Sequence, residues 1–288
     1  MTSVNWMTRI IEGEHYVNRA ILESDPLPSP IKLLYGWLRI RLGREIYHSR
    51  FCPIRTSPTR IVASALRAGD VYLDIGANEG QMVSIASVAT EPSGRVYAFE
   101  PREKAFQHLQ LLCTAYRLAN VDLFQFLVGD HDGERVLFES SGAPSSSSLS
   151  REWAGGVPRV YPMITLDTWA RQNSVQRVDL IKIDVEGAEM QVLRGAMQLL
   201  RQTQPLVIME IRGREVRRRI LGYDVPDLME LLCSVGYEEF YSLRAAGLAR
   251  IKRETEILPG DNDLLACCPR NTSDAGIAAV LARDACPL

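Results

Sequence analysis

The sequence predicts an α/β protein built on a doubly wound, mostly parallel sheet. Three observations predict it: short β-branched runs alternate with helical stretches from about residue 58 onward, a glycine turn follows the first such run, and an acid closes the second. Ahead of this pattern, residues 1–58 form an expected N-terminal helical extension, cut in two by Pro26-Leu27-Pro28-Ser29-Pro30, which no helix crosses. Its second piece, from Ile31 to Tyr47, puts Ile31, Leu34, Leu38, Leu42 and Ile46 on one stripe with Arg39, Arg41 and Arg44 largely elsewhere. Such a basic amphipathic helix packs on the main domain, caps a substrate pocket or lies on a membrane. In the main domain, residues 59–270, the expected strands are Val71–Ile75, Arg95–Glu100, Val121–Leu127, Val178–Asp184 and Pro205–Ile211. Helical periodicity fills Gly80–Ala89, Pro101–Leu118 and Ala188–Gln202, and one more helix follows Pro226. Tyr237–Leu243 and Asp263–Cys268 are close enough in the chain to form an antiparallel pair at the sheet edge. The Gly-, Ser- and Pro-rich stretch from Ser140 to Pro158 reads as a long loop, and Trp153 within it inclines the reading toward a lid. Residues 271–288 are a short Ala-rich tail.

Composition narrows the classes of function. With 46% hydrophobic and 24% charged residues among 288, the chain is an ordinary globular one. Thirty-three basic against 35 acidic side chains leave a net charge of -2, so no global field draws it onto nucleic acid or an acidic membrane. The six cysteines have neither C-x-x-C spacing nor a histidine placed to complete a zinc site, and they read as reduced, buried thiols. Glu12, Glu14 and His15 interrupt the N-terminus where a secretory signal needs an apolar run, and no run of ~18 apolar residues occurs. A cytoplasmic protein with no transmembrane segment is expected.

The stretch Asp74-Ile75-Gly76-Ala77-Asn78-Glu79-Gly80 carries the chemistry of the first turn. A strand runs into a turn with two glycines and then a helix, which lets backbone approach a ligand where a side chain would collide. The spacing is G-x-x-x-G, with Asn78 where a dinucleotide fingerprint needs its second glycine. Asp74 adds negative charge beside the turn, which suits a cationic ligand and repels phosphates. S-adenosylmethionine fits that description. Twenty-four residues after Gly76, Glu100 closes Val96-Tyr97-Ala98-Phe99, where a carboxylate accepts hydrogen bonds from both hydroxyls of a ribose; it also suits the start of the next helix.

With Ile181-Lys182-Ile183-Asp184-Val185-Glu186-Gly187-Ala188-Glu189, Val192-Leu193-Arg194-Gly195-Ala196 and Pro205 to Glu210, these motifs make the chain resemble the FkbM-type S-adenosylmethionine-dependent methyltransferases from about Arg60 to Pro269. The resemblance implies a class I methyltransferase fold: a Rossmann-like, mostly parallel seven-stranded sheet with an antiparallel edge strand. It also implies O-methylation of a hydroxyl on a sugar or natural-product scaffold. Carried over by position, Asp74, Gly76, Asn78 and Gly80 would hold the methionine part of the cofactor, Glu100 the ribose and Asp130, in the turn after the third strand, the adenine.

Asp184 and Glu186 lie at the carboxyl end of the fourth strand, the edge where open α/β sheets bind ligands, and Glu210 ends the fifth. Methyl transfer needs acceptor oxygen, methyl carbon and sulfur in line, with a base for the hydroxyl proton, so these three are the candidate catalytic carboxylates. They equally suit the first turn of a helix, or a Mg²⁺ ion that would orient the acceptor. Beyond them, residues 212–219 hold five arginines, a solvated face or a site for an anionic acceptor. The chain lacks the wide basic face with interleaved aromatics that RNA requires, so the expected partner is a small-molecule hydroxyl acceptor. Two alternatives stand beside the methyltransferase. One is an NAD(P)-dependent oxidoreductase, which Asn78 and the lack of a Tyr-x-x-x-Lys pair disfavour; the other is a non-catalytic module that binds an adenosyl ligand.

Overall fold

In the computed structural model, the residues described are 58–140, 148–149, 156–244, 247–252 and 263–267. The N-terminal extension, Trp153 and the tail lie outside them. The chain forms α1 (Pro58–Ala65), β1 (Val71–Ile75), α2 (Gln81–Thr90), β2 (Arg95–Phe99), α3 (Glu103–Tyr116) and β3 (Val121–Phe124). A small second sheet follows: β4 (Leu127–Val128), β5 (Gly133–Glu139) and β6 (Val157–Ile164). The main sheet resumes through α4 (Leu166–Gln172), β7 (Leu180–Ile183), α5 (Glu189–Arg194), α6 (Met197–Thr203) and β8 (Leu206–Glu210). Last come α7 (Arg214–Val216) with a π-helical turn at Arg217–Leu221, α8 (Val225–Cys233), β9 (Glu239–Arg244), β10 (Gly247–Ile251) and β11 (Asp263–Cys267).

The main sheet runs in the order β10-β9-β11-β8-β7-β1-β2-β3. β3, β2, β1, β7 and β8 are parallel neighbours, and β11 pairs antiparallel with both β8 and β9. This is the Rossmann-like class I arrangement, with eight strands among the described residues where seven were expected. The additional one is β10, which pairs antiparallel with β9 and forms the antiparallel edge, while β11 lies inside the sheet.

Side-chain alternation divides the core into two layers. Leu73 and Ile75 of β1 and Val207 and Met209 of β8 point toward α4, α5, α6 and α8, where Leu166, Trp169, Val192, Leu193, Leu200 and Leu228 bury them. Tyr72, Leu206 and Ile208 point the other way, against Ile61, Val62, Val83, Ala86 and Leu109 of α1, α2 and α3. Tyr97, Phe99 and Phe124 surround the ring of Trp169, with centroids 5.0, 5.0 and 5.5 Å away, and so clamp the ends of β2 and β3 to α4.

Three local expectations change. The helix expected over Ala188–Gln202 is two helices, because a Cβ on Gly195 would stand 1.9 Å from the carbonyl oxygen of Gly129; backbone crosses backbone there and interrupts the helix. The expected third strand stops at Phe124, and Leu127–Val128 leaves for the second sheet. The stretch read as loop from Ser140 ends sooner, because β6 begins at Val157 and pairs with β5 along its whole length. Pro158 and Pro162 and the exposed outer face disguise that hairpin in the sequence.

Candidate functional site

The carboxyl ends of β1, β2, β7 and β8 open into a pocket of about 230 Å³. Gly76, Asn78, Glu100, Asp184, Glu186 and Glu210 all line it, so six of the nine expected site residues meet there. Phe99, Phe126, Leu127 and Val128 give it an apolar side, and Leu137 of β5, Met163 of β6 and Leu149, which lies between these two strands in the chain, cover it. Ser148 bridges to Phe138 of β5 and donates from its hydroxyl to the carbonyl of Glu186 at 2.9 Å, which ties the cover to the catalytic edge.

The first turn is shaped from within the protein. Gly76 has φ 85, and a Cβ there would lie 1.9 Å from the carbonyl oxygen of Asp184, so the neighbouring backbone demands glycine. Asn78, at φ 49, donates its backbone N–H to Glu100 Oε2 at 2.9 Å. Arg102, which the motifs did not single out, donates Nε to Glu100 Oε1 at 2.8 Å and Nη2 to Asn78 Oδ1 at 3.0 Å. Glu100 is buried and thus held by two residues of the pocket wall, Asn78 and Arg102.

Three expected residues are not brought to the wall. Asp74 is buried behind it on the face of β1 that carries Tyr72, with both carboxyl oxygens lacking a hydrogen-bond partner. Burial pushes its carboxyl up to about 6, the charges of Asp184 and Glu100 add to this, and Lys182 opposes it. Gly80, at φ 86, starts α2, and a Cβ there would meet Leu109 Cδ2 at 2.6 Å, so it serves helix packing. Asp130 faces solvent because β4 carries the chain into the second sheet, and it pairs with His131 at 2.8 Å.

The other carboxylates converge as expected, and two cations hold them. Lys182 Nζ donates to Asp184 Oδ2 at 2.9 Å. Arg212 pairs with Glu186 and, at 3.2 Å, with Glu210, and Glu210 is hydrogen-bonded to Asp184. Burial would raise Asp184, but Lys182 and the hydrogen bond from Glu210 outweigh it and hold the group below its ordinary value. Burial and the bond to Asp184 raise Glu210. Glu186, at φ 57, is pushed up to about 7 by burial, with Arg212 opposing and Asp184 adding. Among the described residues, no three His, Cys, Asp or Glu side chains are grouped to hold a metal ion; Lys182 and Arg212 take these carboxylates instead. The remaining arginines are tied elsewhere: Arg217 and Arg218 bond to Asp224, Arg214 stands 3.9 Å from it, and Arg219 pairs with Glu215.

A wall of carboxylates beside an apolar slot suits a cationic adenosyl compound, and the chemistry of these residues fits S-adenosylmethionine. Fold and site together have the class I, Rossmann-like methyltransferase architecture. The chain belongs to the FkbM methyltransferase family, whose domain matches residues 74–239, and this displaces the nicotinamide-dependent alternative. Among curated relatives, "Methyltransferase 1" of Beauveria bassiana is 28% identical over 142 residues, 43% of this chain and 57% of that protein. The hexuronic acid methyltransferase AglP of Haloferax volcanii is 26% identical over 188 residues, 65% of this chain and 72% of that one. The 2-O-methyltransferase NoeI of Sinorhizobium fredii is 26% identical over 165 residues, 50% and 65% of the two chains. The first and third matches thus span less than two thirds of those relatives' length. A crystal structure of an FkbM methyltransferase from Methylobacillus flagellatus superposes with a TM-score of 0.48 at 16% identity, covering 91% of this chain and 60% of that one. No helix among the described residues is long and apolar enough to cross a membrane.

Proposed function

We propose that this chain is an O-methyltransferase that moves the methyl group of S-adenosylmethionine to a hydroxyl of a sugar or natural-product scaffold, with Glu186 as the general base. The observation that carries this reading is Glu186 itself. It is a non-glycine residue at positive φ on the pocket wall, and burial places its carboxyl near 7, where a base works best at neutral pH. Gly76, Asn78 and Glu100 would hold the cofactor from the β1 and β2 side, with Phe99, Leu127 and Val128 against its adenine. When bound, the cofactor supplies an electrophilic methyl group on a sulfonium. Asp184 and Glu210 line the same wall and position the acceptor, Glu186 takes its proton, and Leu149 and Met163 exclude water. Asp74 acts from behind the wall through its charge.

A neutral or weakly charged acceptor agrees with the arginine segment, whose guanidinium groups are engaged by Glu186, Glu210, Asp224 and Glu215. The same pairing disfavours RNA as the acceptor. Two relatives whose names refer to a hexuronic acid and to 2-O-methylation support a sugar-like substrate. Incubation with methyl-labelled cofactor and a panel of glycosides, read by mass spectrometry, should yield a labelled methyl ether and S-adenosylhomocysteine, with or without a chelator. A label on nitrogen or in a methyl ester would refute the hydroxyl acceptor, and dependence on the chelator would restore a metal.

A further inference from the structure

Beneath the pocket wall lies a charged pair that the proposed reaction does not use directly. Lys182 sits in β7, directly opposite Asp74 of β1, and only 7% of the residue is exposed. Alternation along β7 puts Lys182 and Asp184 on the same side of the sheet, and the ammonium reaches forward to Asp184 rather than into the two unbonded oxygens of Asp74. A lysine buried this deeply keeps its charge only with anionic company, and here Asp184 and Asp74 supply it. Asp184 and Glu210 directly follow the paired residues Ile183 and Met209 of β7 and β8 and line the same wall, and two carboxyl groups brought together in this way share a proton whose location the nearest cation decides.

We infer that Lys182 is a positioning residue: its buried ammonium holds Asp184 against the pocket wall as the charged member of the Asp184–Glu210 pair and leaves the shared proton on Glu210. The inference rests on the proposed reading of the pocket as the acceptor site. The charged and titratable groups that face the pair are Tyr72 and Asp74 from β1, Glu100 from the end of β2, Glu186 and Glu189 after β7, and Glu210 with Arg212 from β8. Of these Arg212 is the second cation, and it pairs with Glu186 and Glu210.

Lys182→Met and Lys182→Arg test the inference. In the Met variant the ionisation of Asp184 should join that of Glu186 in setting the acid limb of the kcat–pH profile, moving it upward by about one unit and lowering kcat at pH 7 roughly tenfold. The Arg variant should return the limb toward its wild-type position. Calorimetric affinity for S-adenosylhomocysteine should change less than about threefold in both, because the pocket's cofactor side is untouched. A uniform loss of kcat with the limb in place, or a loss of S-adenosylhomocysteine affinity equal to the loss of kcat, overturns the inference. Carboxyl ¹³C NMR of the wild-type protein decides the matter if Lys182→Met does not fold. At pH 6 Asp184, assigned through Asp184→Asn, should be ionised and Glu210 protonated, and the reverse order overturns the inference. A wild-type protein that binds no S-adenosylhomocysteine would instead refute the proposed function, while the NMR result would still judge Lys182.

Discussion

Glu186 carries the chemistry at the scale of a single residue. A left-handed backbone costs a non-glycine residue roughly 1–2 kcal/mol, and the turn Glu186-Gly187 holds it because Gly187, at φ 103, packs against the Leu221 side chain. The base is competent when ionised, so the rate should rise with pH through about 7 and fall below it as Glu186 takes up a proton. Glu186→Gln should lower kcat about 10²–10⁴-fold and flatten that rise, with S-adenosylhomocysteine affinity largely kept; a pH–rate profile of both proteins checks it. Gly76 shows how far a residue can be read in isolation. Its glycine was visible in the motif, but the reason expected was a ligand, and the structure supplies the Asp184 carbonyl. Arg102 was not visible at all, because it has no spacing signal and acts only where the ends of β1 and β2 come together.

The second sheet decides the site at the scale of elements. β5 and β6 form a ribbon whose inner side, with Leu137 and Met163, lies over the pocket, while Val136 and Val160 pair on the outer side in solvent. Three strands with so small a core are marginal alone, so this cover depends on its ties to the main domain. Ser148 is such a tie. Ser148→Ala removes one hydrogen bond, worth about 0.5–1.5 kcal/mol, and should raise the acceptor KM severalfold while leaving S-adenosylhomocysteine affinity nearly unchanged, as steady-state kinetics and calorimetry would show. Equal loss of both affinities would mean that the cover serves the whole pocket. The hairpin escaped the sequence reading because its strands bury one side weakly and carry two prolines, whereas the strands of the main sheet bury both faces.

Charge links the site to stability at the scale of the whole molecule. Asp74, Glu186 and Glu210 are raised in the folded protein, as are the more weakly shifted Asp70 and Glu189. An unfolded chain ionises such acids near 4, so between about pH 4 and 8 it holds fewer protons than the folded one, and stability falls as pH rises through that window. Among the described residues the acids shifted the other way, Glu103, Asp132 and Asp184, act only below it. The melting temperature measured without cofactor should therefore decline between pH 5.5 and 8, and a rise would contradict the buried-acid cluster. The sequence by itself determined the fold class, the order of the parallel strands' motifs and the meeting of six site residues at one sheet edge, because strand alternation, glycine punctuation and strand-end acids are local patterns. Only the tertiary structure decided that Asp74 sits behind the wall, that a hairpin covers the pocket and that the arginines are already paired. Each of these depends on burial and on contacts between residues far apart in the chain, which no local pattern encodes.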